Sequence, residues 1–157
     1  MNGTASAPDG AGCDRAALTL GRPILLVEDN PMDLDLTVRA LASRRLANPI
    51  EVARDGEEAL AMLPRWDGGA PLPVVILLDL RLPRVSGLEV LRALKGHPRY
   101  GAIPVVVLTT SREDVDIQGA YALGVNSYIV KPVEFDKFLE VASHIEMYWC
   151  LVNHPCP

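Results

Sequence analysis

Cysteine is scarce in this chain: Cys13, Cys150 and Cys156 are the three among 157 residues. Their number is odd, no CxxC pair occurs and no histidine stands at zinc-ligand spacing. A disulfide framework and a structural zinc site are therefore excluded, and a reducing, cytoplasmic setting is expected. Long apolar runs are lacking too. A run such as Val74 to Leu78 falls far short of the roughly 20 residues that cross a bilayer. The N-terminus has neither a charged n-region nor an apolar h-region, so no signal peptide is expected. There is no excess of positive charge: 15 Lys plus Arg stand against 20 Asp plus Glu, for a net charge of −5. That balance argues against direct DNA binding, which draws on a basic surface. No internal repeat and no second domain is visible. What is present is an ordinary globular composition, 49% apolar and 22% charged, at a length close to one domain of roughly 150 residues.

Residues 1–20 are rich in Gly, Ala, Ser and Asp and read as a flexible N-terminal extension. From residue 21 onward, strand and helix signals alternate. Ile24 to Val27, Ile50 to Ala53, Val74 to Leu78, Val105 to Leu108 and Ser127 to Val130 are short apolar runs that suit buried strands. Asn30 is a good N-cap and Pro31 suits a first helical position, which predicts a helix to about Arg45. A second helix is capped by Asp55 and closed by Pro64, with a loop from Pro64 to Pro73. Leu88 to Lys95, Asp114 to Leu123 and a long segment from Phe135 complete five helices. Short apolar strands joined by helices imply a parallel sheet covered on both faces, an α/β architecture.

In such a sheet ligands sit beyond the carboxyl ends of the strands. The first strand delivers Glu28 and Asp29 there, the third Asp79, the fourth Thr109 and Thr110, the fifth Lys131 and Pro132. Three carboxylates in one crevice repel unless neutralised. A hard divalent cation does this with oxygen ligands, and Mg²⁺ suits one or two carboxylates plus a phosphate oxygen. With a nucleophilic carboxylate, such a site can accept a phosphoryl group as an aspartyl phosphate. The metal, a Thr hydroxyl and Lys131 then hold its oxygens.

The pattern of these residues resembles the CheY-like receiver domain of two-component response regulators. The features that match are the acidic pair Glu28-Asp29, then Asp79 with Pro83 and Gly87 four and eight residues later. Thr109 follows thirty residues past Asp79, and Lys131-Pro132 is preceded by Tyr128. The resemblance covers residues 22–147 and implies a flavodoxin-like (βα)5 three-layer sandwich of strand order 2-1-3-4-5. It implies that Asp79 is the phosphoacceptor and that Glu28, Asp29, Asp79 and the main-chain carbonyl of Arg81 arrange Mg²⁺. Thr109 and Lys131 would contact the phosphoryl group, with Thr109 and Tyr128 as the switch that repacks the face of the fourth helix, fifth strand and fifth helix. The phrases LLVEDNP, LLDLRLPRVSGLEVL, VVVLTTS and AYALGVNSYIVKPVEFDKF, with Tyr148-Trp149, Asn153 and Pro155, are similar to small single-domain regulators associated with phytochrome histidine kinases. A phytochrome-type sensor kinase is the partner this implies, with at most slow autodephosphorylation rather than independent enzyme activity.

Three positions depart from the family pattern: Thr110 where Ala or Gly is usual, Ser86 before Gly87, and Arg81 two residues past Asp79, which is expected to shield the acyl phosphate. The last segment carries a stripe of Phe135, Phe138, Leu139, Ala142, Ile145 and Trp149. Val141, Met147, Tyr148, Cys150, Leu151 and Val152 lie partly outside it. An exposed apolar surplus of this kind marks an interface. A homodimer is expected, with 21–147 as the receiver domain and 148–157 as a tail that can serve as a dimer arm. Only 25 residues follow Pro132, so no DNA-binding module is expected, and the lack of a long apolar run predicts no membrane contact. The competing reading is a phosphorylation-independent pseudo-receiver acting as a dimeric interaction module. A cofactor-binding flavodoxin is disfavoured, because Glu28-Asp29-Asn30-Pro31 lacks the glycines of a phosphate-cradling loop.

Overall fold

A computed structural model describes residues 21–43 and 47–152, with the side chains of 151 and 152 excepted. The expected N-terminal extension and the last five residues lie outside it. The apolar runs are strands: β1 (Ile24–Val27), β2 (Ile50–Ala53), β3 (Val75–Leu78), β4 (Val105–Thr109) and β5 (Ser127–Val130). They form one sheet of order β2-β1-β3-β4-β5, with every neighbouring pair parallel. This is the expected flavodoxin-like arrangement. The three inner strands are buried along their whole length, as a sheet covered on both sides requires. The edge strands are only partly buried.

Side chains alternate between two cores, because successive residues of a strand face opposite ways. Leu25, Val27, Ile76, Leu78, Val105 and Val107 face one core, shared with Trp66, Leu91, Leu94 and Tyr100. Ile24, Leu26, Val75, Leu77, Val106 and Leu108 face the other, shared with Leu41, Phe138, Ala142 and Ile145. Helices α2 (Gly56–Asp67), α3 (Gly87–Lys95) and α4 (Asp114–Ala122) thus lie over one face. Helices α1 (Pro31–Ala42) and α5 (Phe135–Ile145) lie over the other.

The caps follow the sequence. Asn30 Oδ1 accepts from the backbone N–H of Met32 at 2.9 Å and of Asp33 at 3.3 Å. Asp55 Oδ1 accepts from Glu58 N–H at 2.8 Å. Ser86 and Glu89 form a reciprocal capping box, so the departure at Ser86 preserves a helix start. Gly87 follows because nothing larger fits: a Cβ there would stand 2.2 Å from the carbonyl oxygen of Asp79. The first turn of α3 therefore packs directly on the backbone of the expected phosphoacceptor.

Three boundaries differ from expectation by more than one residue. Helix α1 ends at Ala42, with Ser43 as its cap, rather than at about Arg45, which lies outside the described residues. Pro64 does not close α2, which runs three residues further to Asp67. Its missing N–H deprives the Leu60 carbonyl of a partner. Trp66, 1% exposed and edge-on to Tyr100 at 5.2 Å, holds the last turn in the core nonetheless. The third difference is the end of the chain. Helix α5 stops at Ile145 and continues as a π-helical turn, Glu146–Val152. The wider turn aligns residues five apart, so Cys150 is buried beneath the Ile145 face while Met147 and Tyr148 are exposed. Part of the apolar surplus thus folds back on its own domain. Phe135, placed in the core stripe by its spacing, is instead 51% exposed at the start of α5.

Candidate functional site

The carboxyl ends of β1, β3, β4 and β5 bring Glu28, Asp79, Thr109 and Lys131 together. All four are buried, although Glu28, Asp79 and Lys131 are charged types that rarely are. Each oxygen of Asp79 is engaged. Oδ1 accepts from Thr109 Oγ1 at 2.9 Å and from the backbone N–H of Arg81 at 2.9 Å. Oδ2 accepts from Lys131 Nζ at 3.0 Å. Lys131 also donates to Glu28 Oε2 and, at 3.0 Å, to Asp33 Oδ2. The backbone N–H of Asn30 donates to Glu28 Oε1 at 3.1 Å.

Glu28, Asp29 and Asp79 place one ligand oxygen each within 4.8 Å of the others. With all three ionised they carry −3, and Lys131 returns +1, leaving −2. Burial pushes the Glu28 carboxyl up to about 7, the neighbouring Asp79 charge adds to it, and the Lys131 hydrogen bond only partly offsets both. Burial alone would lower the Lys131 pKa; the bond to Glu28 and the charges of Asp79 and Glu28 outweigh it and push it up, so the ammonium stays charged. An all-oxygen donor set with an excess of two negative charges fits a hard divalent cation.

A second group of polar side chains adjoins the first. The Arg81 guanidinium turns toward the start of α4, 2.9 Å from Asp116 Oδ2 and 2.8 Å from Glu113 Oε1. Ser111 Oγ donates to the same Asp116 oxygen at 2.6 Å. Ser111 N–H donates to Thr109 Oγ1 at 3.3 Å, and Tyr128 Oη donates to the Ser111 carbonyl at 3.1 Å. Tyr128 is therefore tied to the loop that follows Thr109. Burial raises its hydroxyl pKa. Thr110 is exposed on that loop.

The family model of the response regulator receiver domain matches residues 24–143. The chain belongs to this family. Among curated proteins, this receiver is 47% identical over 127 residues to the probable methanogenesis regulatory protein FilR2 of Methanothrix harundinacea, covering 80% of this chain and 82% of that one. Among solved structures it resembles the phosphorylated cyanobacterial phytochrome response regulator RcpA, with a TM-score of 0.81 and 38% identity over 87% of this chain and 99% of that chain. It also resembles the bacteriophytochrome response regulator AtBRR, with a TM-score of 0.67 and 50% identity over 85% of this chain and 99% of that chain.

The structure brings together Glu28, Asp29, Asp79, Thr109 and Lys131, whereas Thr110, also expected at the crevice, is exposed on the loop after β4. Arg81 enters through its backbone N–H on Asp79, while its side chain points to α4. Three participants were missed. Asp33 stands one helical turn past Asp29 on a capped helix, which was the available signal. Ser111 and Asp116 gave none, because only the fold sets them beside Arg81. His97 and His144, given no role by their spacing, have none in the crevice. His97 stacks on Tyr100 with ring centroids 4.2 Å apart, and His144 lines a groove with Asn126, Ile129 and Trp149 far along α5. No described helix is long and apolar enough to cross a membrane.

Proposed function

We propose that this receiver accepts a phosphoryl group from the phosphohistidine of a phytochrome-type sensor histidine kinase onto Asp79, with Mg²⁺. The observation that carries the reading is the engagement of Asp79: one oxygen held by Thr109 and a backbone N–H, the other by a charged lysine, all within 3.0 Å. That arrangement orients a buried carboxylate toward an incoming electrophile. A carboxylate oxygen of Asp79 forms a bond to phosphorus as the phosphorus–nitrogen bond of the donor breaks, its electron pair staying on the imidazole. Thr109 Oγ1 and Lys131 Nζ donate to phosphoryl oxygens, placed before the reaction where negative charge collects. Glu28, Asp29, Asp79 and the carbonyl of Arg81 would hold Mg²⁺, which would supply the remaining charge neutralisation.

Conformational output follows the polar chain from Asp79 through Thr109 and Ser111 to Tyr128 and α4. The phosphoryl group makes its contacts in one of two arrangements of this chain, which shifts the population. The responding face is α4, β5 and α5. Val115 and Tyr121 on α4, Phe135 on α5 and Met147 and Tyr148 beyond it are exposed apolar side chains. They support a homodimer formed through this face by the receiver (21–147) and its tail (148–157), in the cytoplasmic setting usual for such regulators. Sedimentation at tens of micromolar is expected to give twice the monomer mass; a monomer would contradict this part of the reading. Arg81 is positioned to limit water at the acyl phosphate once its guanidinium leaves Asp116. Arg81→Ala is then expected to shorten the lifetime of the phosphorylated protein.

The decisive experiment is intact mass after incubation with acetyl phosphate and Mg²⁺. The wild type is expected to gain one phosphoryl group, and neither Asp79→Asn nor wild type without Mg²⁺ is expected to do so. No adduct, together with no binding of beryllium fluoride, would favour the pseudo-receiver reading.

A further inference from the structure

We propose that Asp33 is a built-in counter-anion that competes, for the ammonium of Lys131, with the phosphoryl oxygens present when Asp79 is occupied. The proposal rests on the reading of Asp79 as the phosphoacceptor and goes beyond it. A lysine ammonium has three donors. Lys131 directs them to Glu28 Oε2, Asp79 Oδ2 and Asp33 Oδ2, so none is left for an incoming oxygen and one bond must be exchanged.

The three carboxylates are not equivalent partners. The side chain of Glu28 is 2% exposed and that of Asp79 is 7% exposed, while that of Asp33 is 33% exposed. Stripping buried Glu28 of its cation leaves a charge that water cannot reach, whereas acylation takes the charge from Asp79 and passes its lysine donor to the phosphoryl group. Asp33 can exchange Lys131 for water. It also lies in the first turn of α1, where the helix N-terminus stabilises a carboxylate after the ammonium has gone. Once Asp79 is occupied, Asp33 is therefore the remaining partner that yields as the phosphoryl oxygens draw on the ammonium.

Charge acts in the same direction. With all carboxylates ionised, Glu28, Asp29, Asp33 and Asp79 carry −4 against +1 on Lys131, leaving −3. Without Asp33 the balance is −2, which one divalent cation neutralises. Asp33 thus opposes an anionic ligand twice, by occupying the ammonium and by repulsion.

The test is a titration of beryllium fluoride at saturating Mg²⁺, read by the fluorine NMR signal of the bound species. The variants are Asp33→Asn, Asp33→Ala and Asp35→Asn. Asp35 is on the same helix but pairs with Arg39 at 2.9 Å and does not touch Lys131, so its variant reports a general charge effect. Asp33→Asn is expected to bind about fivefold more tightly than wild type and Asp33→Ala more tightly still, with Asp35→Asn unchanged. Mg²⁺ affinity, measured separately by calorimetry, is expected to stay within about threefold of wild type, since Asp33 is outside the metal-ligand group. Unchanged or weaker binding in Asp33→Asn, or equal tightening in Asp35→Asn, would overturn the role of Asp33 while leaving Asp79 as the acceptor. No bound signal in the wild type would overturn the reading of Asp79 and this proposal with it.

Discussion

Helices α3 and α4 are neighbours of equal length, nine residues each, yet they are held to the sheet by different forces. α3 buries Gly87, Val90, Leu91 and Leu94, is capped at both ends, and sits against the backbone of Asp79 with no room for a Cβ. α4 buries Ala120 alone, and its N-cap residue Glu113 makes no side-chain capping bond. Its first turn is instead fastened by Arg81 and Ser111, which touch Asp116 and Glu113. Burial of a leucine stabilises by a few kcal/mol; exposed ion pairs contribute a fraction of one. Asp79 is thus mounted on the rigid side, and α4 is fastened by contacts weak enough to exchange.

The contrast can be broken from the rigid side first. Leu91→Ala, which opens a hole beneath α3, is expected to cost about 3 kcal/mol in chemical denaturation. Gly87→Ala should destabilise by about 2 kcal/mol and slow uptake of phosphate from acetyl phosphate, because the new methyl pushes on the Asp79 carbonyl. On the other side, Arg81→Ala is expected to change stability by only about 0.5 kcal/mol, given that the Arg81 side chain is 53% exposed. It should still speed amide exchange in residues 114–122 several-fold, with residues 87–95 unaffected. Val115→Ala, on the outer surface of α4, should fall within about 0.5 kcal/mol of wild type. Equal losses in Leu91→Ala and Val115→Ala would erase the distinction.

The π-helical turn after α5 offers a smaller probe, of an element anchored by burial rather than by charge. Burial, and to a lesser degree the charge of Glu146, push the Cys150 thiol up to about 11 from 9.0. Between those values the folded chain keeps a proton that the unfolded chain releases, so this group's contribution to stability falls as pH rises. Cys150→Ala is expected to flatten that limb of the pH–stability curve relative to wild type. Identical slopes would place Cys150 in water.

The strands and the crevice were legible for one reason. Runs such as Ile24 to Val27 and Val105 to Val107 suit only a sheet buried on both faces, and that topology sends Glu28, Asp79, Thr109 and Lys131 to one edge. Pro64 was misleading because local backbone preference ends a helix there, while Trp66 inserts into a core built from distant residues. Cys150 was misplaced because a regular 3.6-residue period carries no sign of a switch to a wider turn. The contacts of Arg81 with Asp116 join residues 35 apart, which no local pattern encodes. Asp33 lay between these cases: its capped helix was readable, and its bond to Lys131, 98 residues away, was not.

The most direct measurement of the central claim is chemical localisation of the phosphoryl group. Protein phosphorylated with acetyl phosphate and Mg²⁺ is reduced with borohydride, which converts an aspartyl phosphate to homoserine, and the peptides are mapped by mass. Homoserine at position 79, absent when Mg²⁺ is omitted, is the expected result. Reduction at another carboxylate, or at none in protein that carries phosphate, would contradict the assignment of Asp79.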